Sequence, residues 1–129
     1  MMQAFLLLDL TATTAFRQPL LAQVKQVWPE VAALDADAAS GELLLHYALR
    51  LLRDADKAVV LVQADESMLG FGNAMPLIEE LLLPQDGRVI LLLGRYPRLE
   101  RMLQARPYLV FKQVEDEAEA LEELALYLS

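Results

Sequence analysis

The residues best suited to chemistry lie in one stretch, QADESMLGFGNAMPLIEELL at 63–82. Asp65, Glu66, Ser67, Gly70, Gly72 and Asn73 crowd into a polar loop, and Glu79 and Glu80 follow on a short helical pattern. A carboxylate at the mouth of a crevice, partly stripped of water, has its pKa raised toward a value useful for acid–base work, so Glu79 and Glu80 are the candidate catalytic residues. An ordinary solvated helix face accounts for the same pair, because both alternate with Leu77, Ile78, Leu81 and Leu82. Gly70 and Gly72 permit positive φ and close backbone approach. GFGN lacks both the third glycine of a dinucleotide fingerprint and the lysine of a phosphate loop. Asn73 reads as a helix N-cap, with Pro76 in the first turn where its missing N–H is not needed. Phe71, a lone ring between glycines, is expected to pack inward.

Outside this stretch, Asp9 ends an apolar run and is suited to hold a ribose hydroxyl or a cation, beside the hydroxyls of Thr11, Thr13 and Thr14. The candidate ligand-binding set is therefore Asp9, Thr11, Asp65, Ser67, Gly70, Gly72 and Asn73. His46 is the only histidine and stands at helical spacing from Glu42 and Arg50, which reads as a surface stripe. One histidine and no cysteine give no support to a zinc site or a Ser-His-Asp triad.

The elements that must position these residues alternate in kind. Short apolar runs at 3–9, 58–63, 88–93 and 108–112 read as buried parallel strands, with a weaker one at 31–34. Between them, apolar residues recur at helical spacing over 15–28, 41–53, 74–83, 97–105 and 115–128. The last segment is expected to turn Ala118, Leu121, Ala125 and Leu128 inward, with Glu115, Glu119, Glu122 and Glu123 outward. Strict alternation predicts one α/β domain over 1–129. It is a doubly wound, flavodoxin-like, five-stranded parallel sheet of order 2-1-3-4-5 with helices on both faces. Its crevice falls at the carboxyl ends of strands 1 and 3, where Asp9 and the 63–73 loop lie.

Composition narrows the partners. The net charge of −8 makes a polyanion a poor ligand, so no nucleic acid is expected. No run approaches the roughly 18 apolar residues of a membrane span, and MMQAFLLLDL reads as a first strand rather than a signal peptide. The absence of cysteine fits a reducing compartment, and a cytoplasmic protein is expected. Apolar residues make up 56% of the chain, and GELLLHYALRLL has more of them than one helix face needs, which predicts a homo-oligomer through 41–53 or 97–105.

Over nearly its whole length the chain resembles the TIR (Toll/interleukin receptor) domain family. The resemblance rests on QAFLLLD as first strand, on VAALDADAASGELLLHYALRLLRDADKAVVLV as second strand, small-residue turn, second helix and third strand, and on RVILLL and PRLERMLQARPYLVF after the polar loop. It implies NAD as a substrate, its nicotinamide–ribose bond cleaved by a glutamate on the helix after the third strand. That role falls on Glu79, or on Glu80 if the register slips by one. Nucleoside deoxyribosyltransferase-like proteins share the layout and a comparable glutamate. Asn73, Met75 and Pro76 replace the family's serine-tryptophan-cysteine signature, and LLLDL replaces the aromatic end of its first strand. The chain also resembles response-regulator receiver domains through Asp9, MLGFGNAMPLIEEL and Lys112, while Val62 and Gln63 stand where the phosphoacceptor belongs and Gly94 where a hydroxyl residue belongs. The expectation is a worn or repurposed site in a TIR-like or pseudo-receiver module for signalling or protein interaction, with a protein partner, no cofactor and no metal.

Overall fold

The computed structural model describes residues 2–11, 19–37, 39–64 and 71–128. Five strands, β1 (Gln3–Asp9), β2 (Ala32–Asp37), β3 (Lys57–Ala64), β4 (Arg88–Gly94) and β5 (Val110–Val114), alternate with α1 (Pro19–Val27), α2 (Glu42–Asp54), α3 (Met75–Leu81), α4 (Pro97–Gln104) and α5 (Glu117–Leu128). The strands form one sheet in the order β2-β1-β3-β4-β5, and every pairing is parallel. This is the doubly wound, flavodoxin-like architecture that the alternation predicts.

The side-chain period of two divides each central strand between two cores. Ala4, Leu6 and Leu8 of β1, Val60 and Val62 of β3, and Ile90 and Leu92 of β4 pack under α2, α3 and α4. Phe5 and Leu7, Val59 and Leu61, and Val89 and Leu91 pack under α1 and α5 with Leu20, Val24, Ala120 and Leu124. The uninterrupted apolar runs therefore follow from burial on both faces. No helix of the described residues is long and apolar enough to cross a membrane.

The edge strands depart from the expected boundaries. β2 runs on through Asp35 to Asp37, because its ladder with β1 reaches Asp9↔Asp37. β5 begins two residues later than the apolar run YLVF and extends through Lys112 and Gln113 to Val114, in register with Leu93. Edge strands face solvent on one side, so the apolar run does not mark their limits. The first residues of the predicted 15–28 helix, with Thr13 and Thr14, lie outside the described residues. In α5, Ala120, Glu123, Leu124 and Leu128 are buried while Ala118 and Ala125 are exposed, so the helix is turned from the expected orientation. Lys112 on the adjacent strand pairs with Glu123, which accounts for a glutamate on the inner face.

Candidate functional site

The carboxyl edge of the sheet is organised by side-chain contacts at strand ends. Asp9 Oδ1 accepts hydrogen bonds from the Thr11 backbone N–H at 2.9 Å and the Thr11 hydroxyl at 2.5 Å, and Asp9 is buried. Beside it, Asp37 Oδ1 accepts from the Ala39 N–H at 2.8 Å and from Ser40 Oγ at 3.2 Å, while Ser40 Oγ accepts the Asp37 N–H at 2.8 Å. These are Asx-type closures, which fold a polar side chain back on its own backbone where a strand gives way to a turn.

Past Ala64 the chain is described again from Phe71; Asp65, Ser67 and Gly70 lie outside the described residues. Gly72 takes a positive φ of 55° and opens a 3-10 turn, Gly72–Ala74, that feeds directly into α3. The N-cap of α3 is therefore Ala74, with no side-chain cap, rather than Asn73. The 3-10 carbonyls already take the first amides: Ala74 N donates to Phe71 O at 3.0 Å and Met75 N to Gly72 O. Asn73 instead donates from Nδ2 to Ser40 O at 3.3 Å, joining the segment after β3 to the turn after β2. Phe71 is buried as expected, its ring centroid 5.5 Å from that of Tyr96, and the Arg98 guanidinium lies 5.1 Å from the ring centre. Asp9 with Thr11, and Asn73 with Ser40, thus sit at the predicted crevice edge, where Asp9 Oδ1 and Asn73 Nδ2 each take part in closing a turn after a strand.

The two glutamates part company. Glu79 is exposed on α3, whereas Glu80, which the sequence allowed on the same solvated face, is 4% exposed. α3 runs back toward the amino edge of the sheet. Its rise of about 1.5 Å per residue carries Glu80 roughly 8 Å from Met75. There Glu80 Oε1 takes a hydrogen bond from Arg53 Nε at 2.6 Å and Oε2 one from Arg88 Nη1 at 3.3 Å. Arg88, whose side chain is 3% exposed, also donates from Nη1 to Glu80 O at 2.9 Å, and from Nη2 to Leu52 O at 3.2 Å and Gln85 Oε1 at 2.8 Å. One guanidinium therefore satisfies last-turn carbonyls of both α2 and α3, where a cation also opposes the helix dipoles. The sequence signal was a charged residue opening an otherwise apolar strand, RVILLL, eight positions after Glu80.

Lys112 is mid-strand in β5, opposite Leu91, and its ammonium pairs with Glu123 on α5. That hydrogen bond raises the lysine pKa above its ordinary value, against some desolvation. Its side chain is thereby directed to α5. Gly94 ends β4 at φ 97°, and a Cβ there would stand 2.2 Å from Ala64 O. The backbone at this position accepts glycine alone.

Concave surface borders α2. A groove of about 640 Å³ separates α2 from the first turn of α3, lined by Leu43, His46, Leu49 and Pro76 among others. A second, of about 390 Å³, lies between α2 and the β2 edge, against Leu34, Tyr47 and Leu51. Leu43 and Tyr47 on the intervening ridge are 68% and 55% exposed. Glu42, His46 and Arg50 are exposed on α2 as the spacing predicted, and Arg50 pairs with Asp54 at 3.5 Å. Comparison with protein-family models, with curated proteins and with solved structures finds no match to this chain.

Proposed function

We propose that this chain is a small signalling or protein-interaction module of the TIR-like or pseudo-receiver kind, acting in a cytoplasm through a protein partner and as a homo-oligomer. The observation that carries the reading is the pair Leu43 and Tyr47, large apolar side chains exposed one turn apart on a ridge with a groove on each side. Apolar surface of this kind, rimmed by charge, marks an interaction site more often than a catalytic one. The lack of cysteine suits a reducing compartment.

The alternative is cleavage of NAD or of a nucleoside N-glycosidic bond. Its acid–base role would fall to Glu79, which is exposed on α3 rather than partly stripped of water. Glu80 is a poorer acid–base group, because its two oxygens are each held by an arginine. A glycosidic enzyme must also hold the ribose and enclose the base, and Phe71, the ring nearest this segment, is buried under Arg98.

Two measurements test the proposal. A photo-reactive residue at position 43 should give protein adducts in cells, and the same residue at the exposed position 104 on α4 should give few; equal yields would sink the interaction reading. Incubation with NAD should release no nicotinamide above a protein-free control. Release that is lost in Glu79→Gln and kept in Glu80→Gln would establish the enzyme instead.

A further inference from the structure

We propose that α2 docks against α2 of a second copy of this chain, antiparallel, about a two-fold axis beside His46 and Tyr47. The inference rests on the reading of α2 as an interaction surface and names what covers it. Shape is the first argument. α2 is a ridge carrying Leu43 and Tyr47 between two grooves, of about 640 and 390 Å³. Helices associate by setting the ridge of one into the groove of the other. A two-fold contact uses the same patch on both partners, so one surface must supply ridge and groove together. This one does.

Charge is the second argument. The exposed face of α2 begins with Glu42 and carries Arg50 two turns later. Centred on 46–47, an antiparallel copy brings Glu42 of each chain beside Arg50 of the other, and it also opposes the two helix dipoles favourably. Arg50 can exchange its partner cheaply, since its bond to Asp54 is long and both side chains are well exposed. The chain as a whole carries −8, so two copies repel across most surfaces. The acidic α5, with Glu117 and Glu122 exposed and Glu119 half-buried, is one such surface. On α2, by contrast, Glu42 and Asp54 are offset by Arg50 and Arg53, and Glu80, which Arg53 holds, is offset in turn by Arg88. A balanced, self-complementary patch on an acidic chain fits a second copy better than a foreign partner, which has no need of that symmetry.

The test is a charge-swap complementation followed by light scattering and sedimentation at tens of micromolar. Wild type should rise from 14.5 kDa toward twice that mass with concentration. Glu42→Arg and Arg50→Glu should each weaken association about tenfold or more, because each opposes like charges at two symmetric points. Mixing the two variants should restore it, since every like pair then becomes an opposite one. Tyr47→Glu should give a monomer in the mixture too, with unchanged far-ultraviolet circular dichroism. A wild-type monomer at every concentration would overturn the proposal, as would a dimer indifferent to these substitutions or a mixture that stays dissociated. A monomer that still cross-links to a different protein through position 43 would overturn the second copy and the homo-oligomer, and leave only the protein-partner reading standing. A monomer with no adducts would remove both.

Discussion

Arg88→Met should be among the most damaging single substitutions in this protein, although it lies at the amino edge of the sheet, away from the crevice. The guanidinium is 3% exposed, ion-pairs with the equally buried Glu80, and donates to the carbonyls of Leu52 and Glu80 and to Gln85. Methionine fills much the same volume, so the cavity contribution is small. The damage comes from the charge left behind, and removing one partner of a buried pair costs about 3–5 kcal/mol. Two contacts soften the loss: Arg53 still holds Glu80 Oε1 at 2.6 Å, and Gln85 Nε2 still donates to Leu52 O at 3.2 Å. Because the Arg53 side chain is 62% exposed, its compensation is screened by water, and the expected cost is about 3 kcal/mol. Glu80→Leu combined with Arg88→Met removes both charges and should return to within about 1 kcal/mol of wild type, a large favourable coupling in the cycle. Urea unfolding followed by circular dichroism measures all the variants at constant m-value. If Arg88→Met costs less than about 1 kcal/mol, or the double variant is as unstable as the sum of the singles, the clamp is not the buried ion pair described here.

Gly94→Ala should destabilise by at least about 2 kcal/mol in the same assay, since it combines a left-handed φ of 97° with a Cβ 2.2 Å from Ala64 O; a neutral result would show that β4 relaxes there. For Lys112, the raised pKa means that the folded state holds its proton more tightly than the unfolded chain. The pairing therefore contributes fully below the ordinary lysine value of about 10.4, and the contribution is lost as pH rises through the elevated folded value. The stability gap between wild type and Lys112→Met should accordingly be constant across neutral pH and shrink in the alkaline range. A gap that shrinks on acidification to neutrality instead would contradict the assignment.

The layering of sheet and helices is legible in the apolar runs alone. QAFLLLD, AVVLVQ and RVILLL have no polar alternation because both faces of β1, β3 and β4 are covered, and strict alternation with helical patterns leaves a parallel sheet as the economical arrangement. Burial of Phe71 between glycines was legible for the same reason, a large ring with no other place to go. What the sequence could not decide is which polar side chains face each other, because that depends on contacts between residues far apart in the chain. Glu79 and Glu80 are equivalent as letters, and only the meeting of α2, α3 and β4 sets one in water and the other between Arg53 and Arg88. Asn73 reads as a cap until the 3-10 turn supplies the carbonyls and Ser40 comes within reach of its amide. Glu123 looks solvated until Lys112 is known to lie across from it. Periodicity specifies the side of an element that is apolar; electrostatic partners are fixed only when the elements are docked, since an ion pair's strength depends on burial and distance.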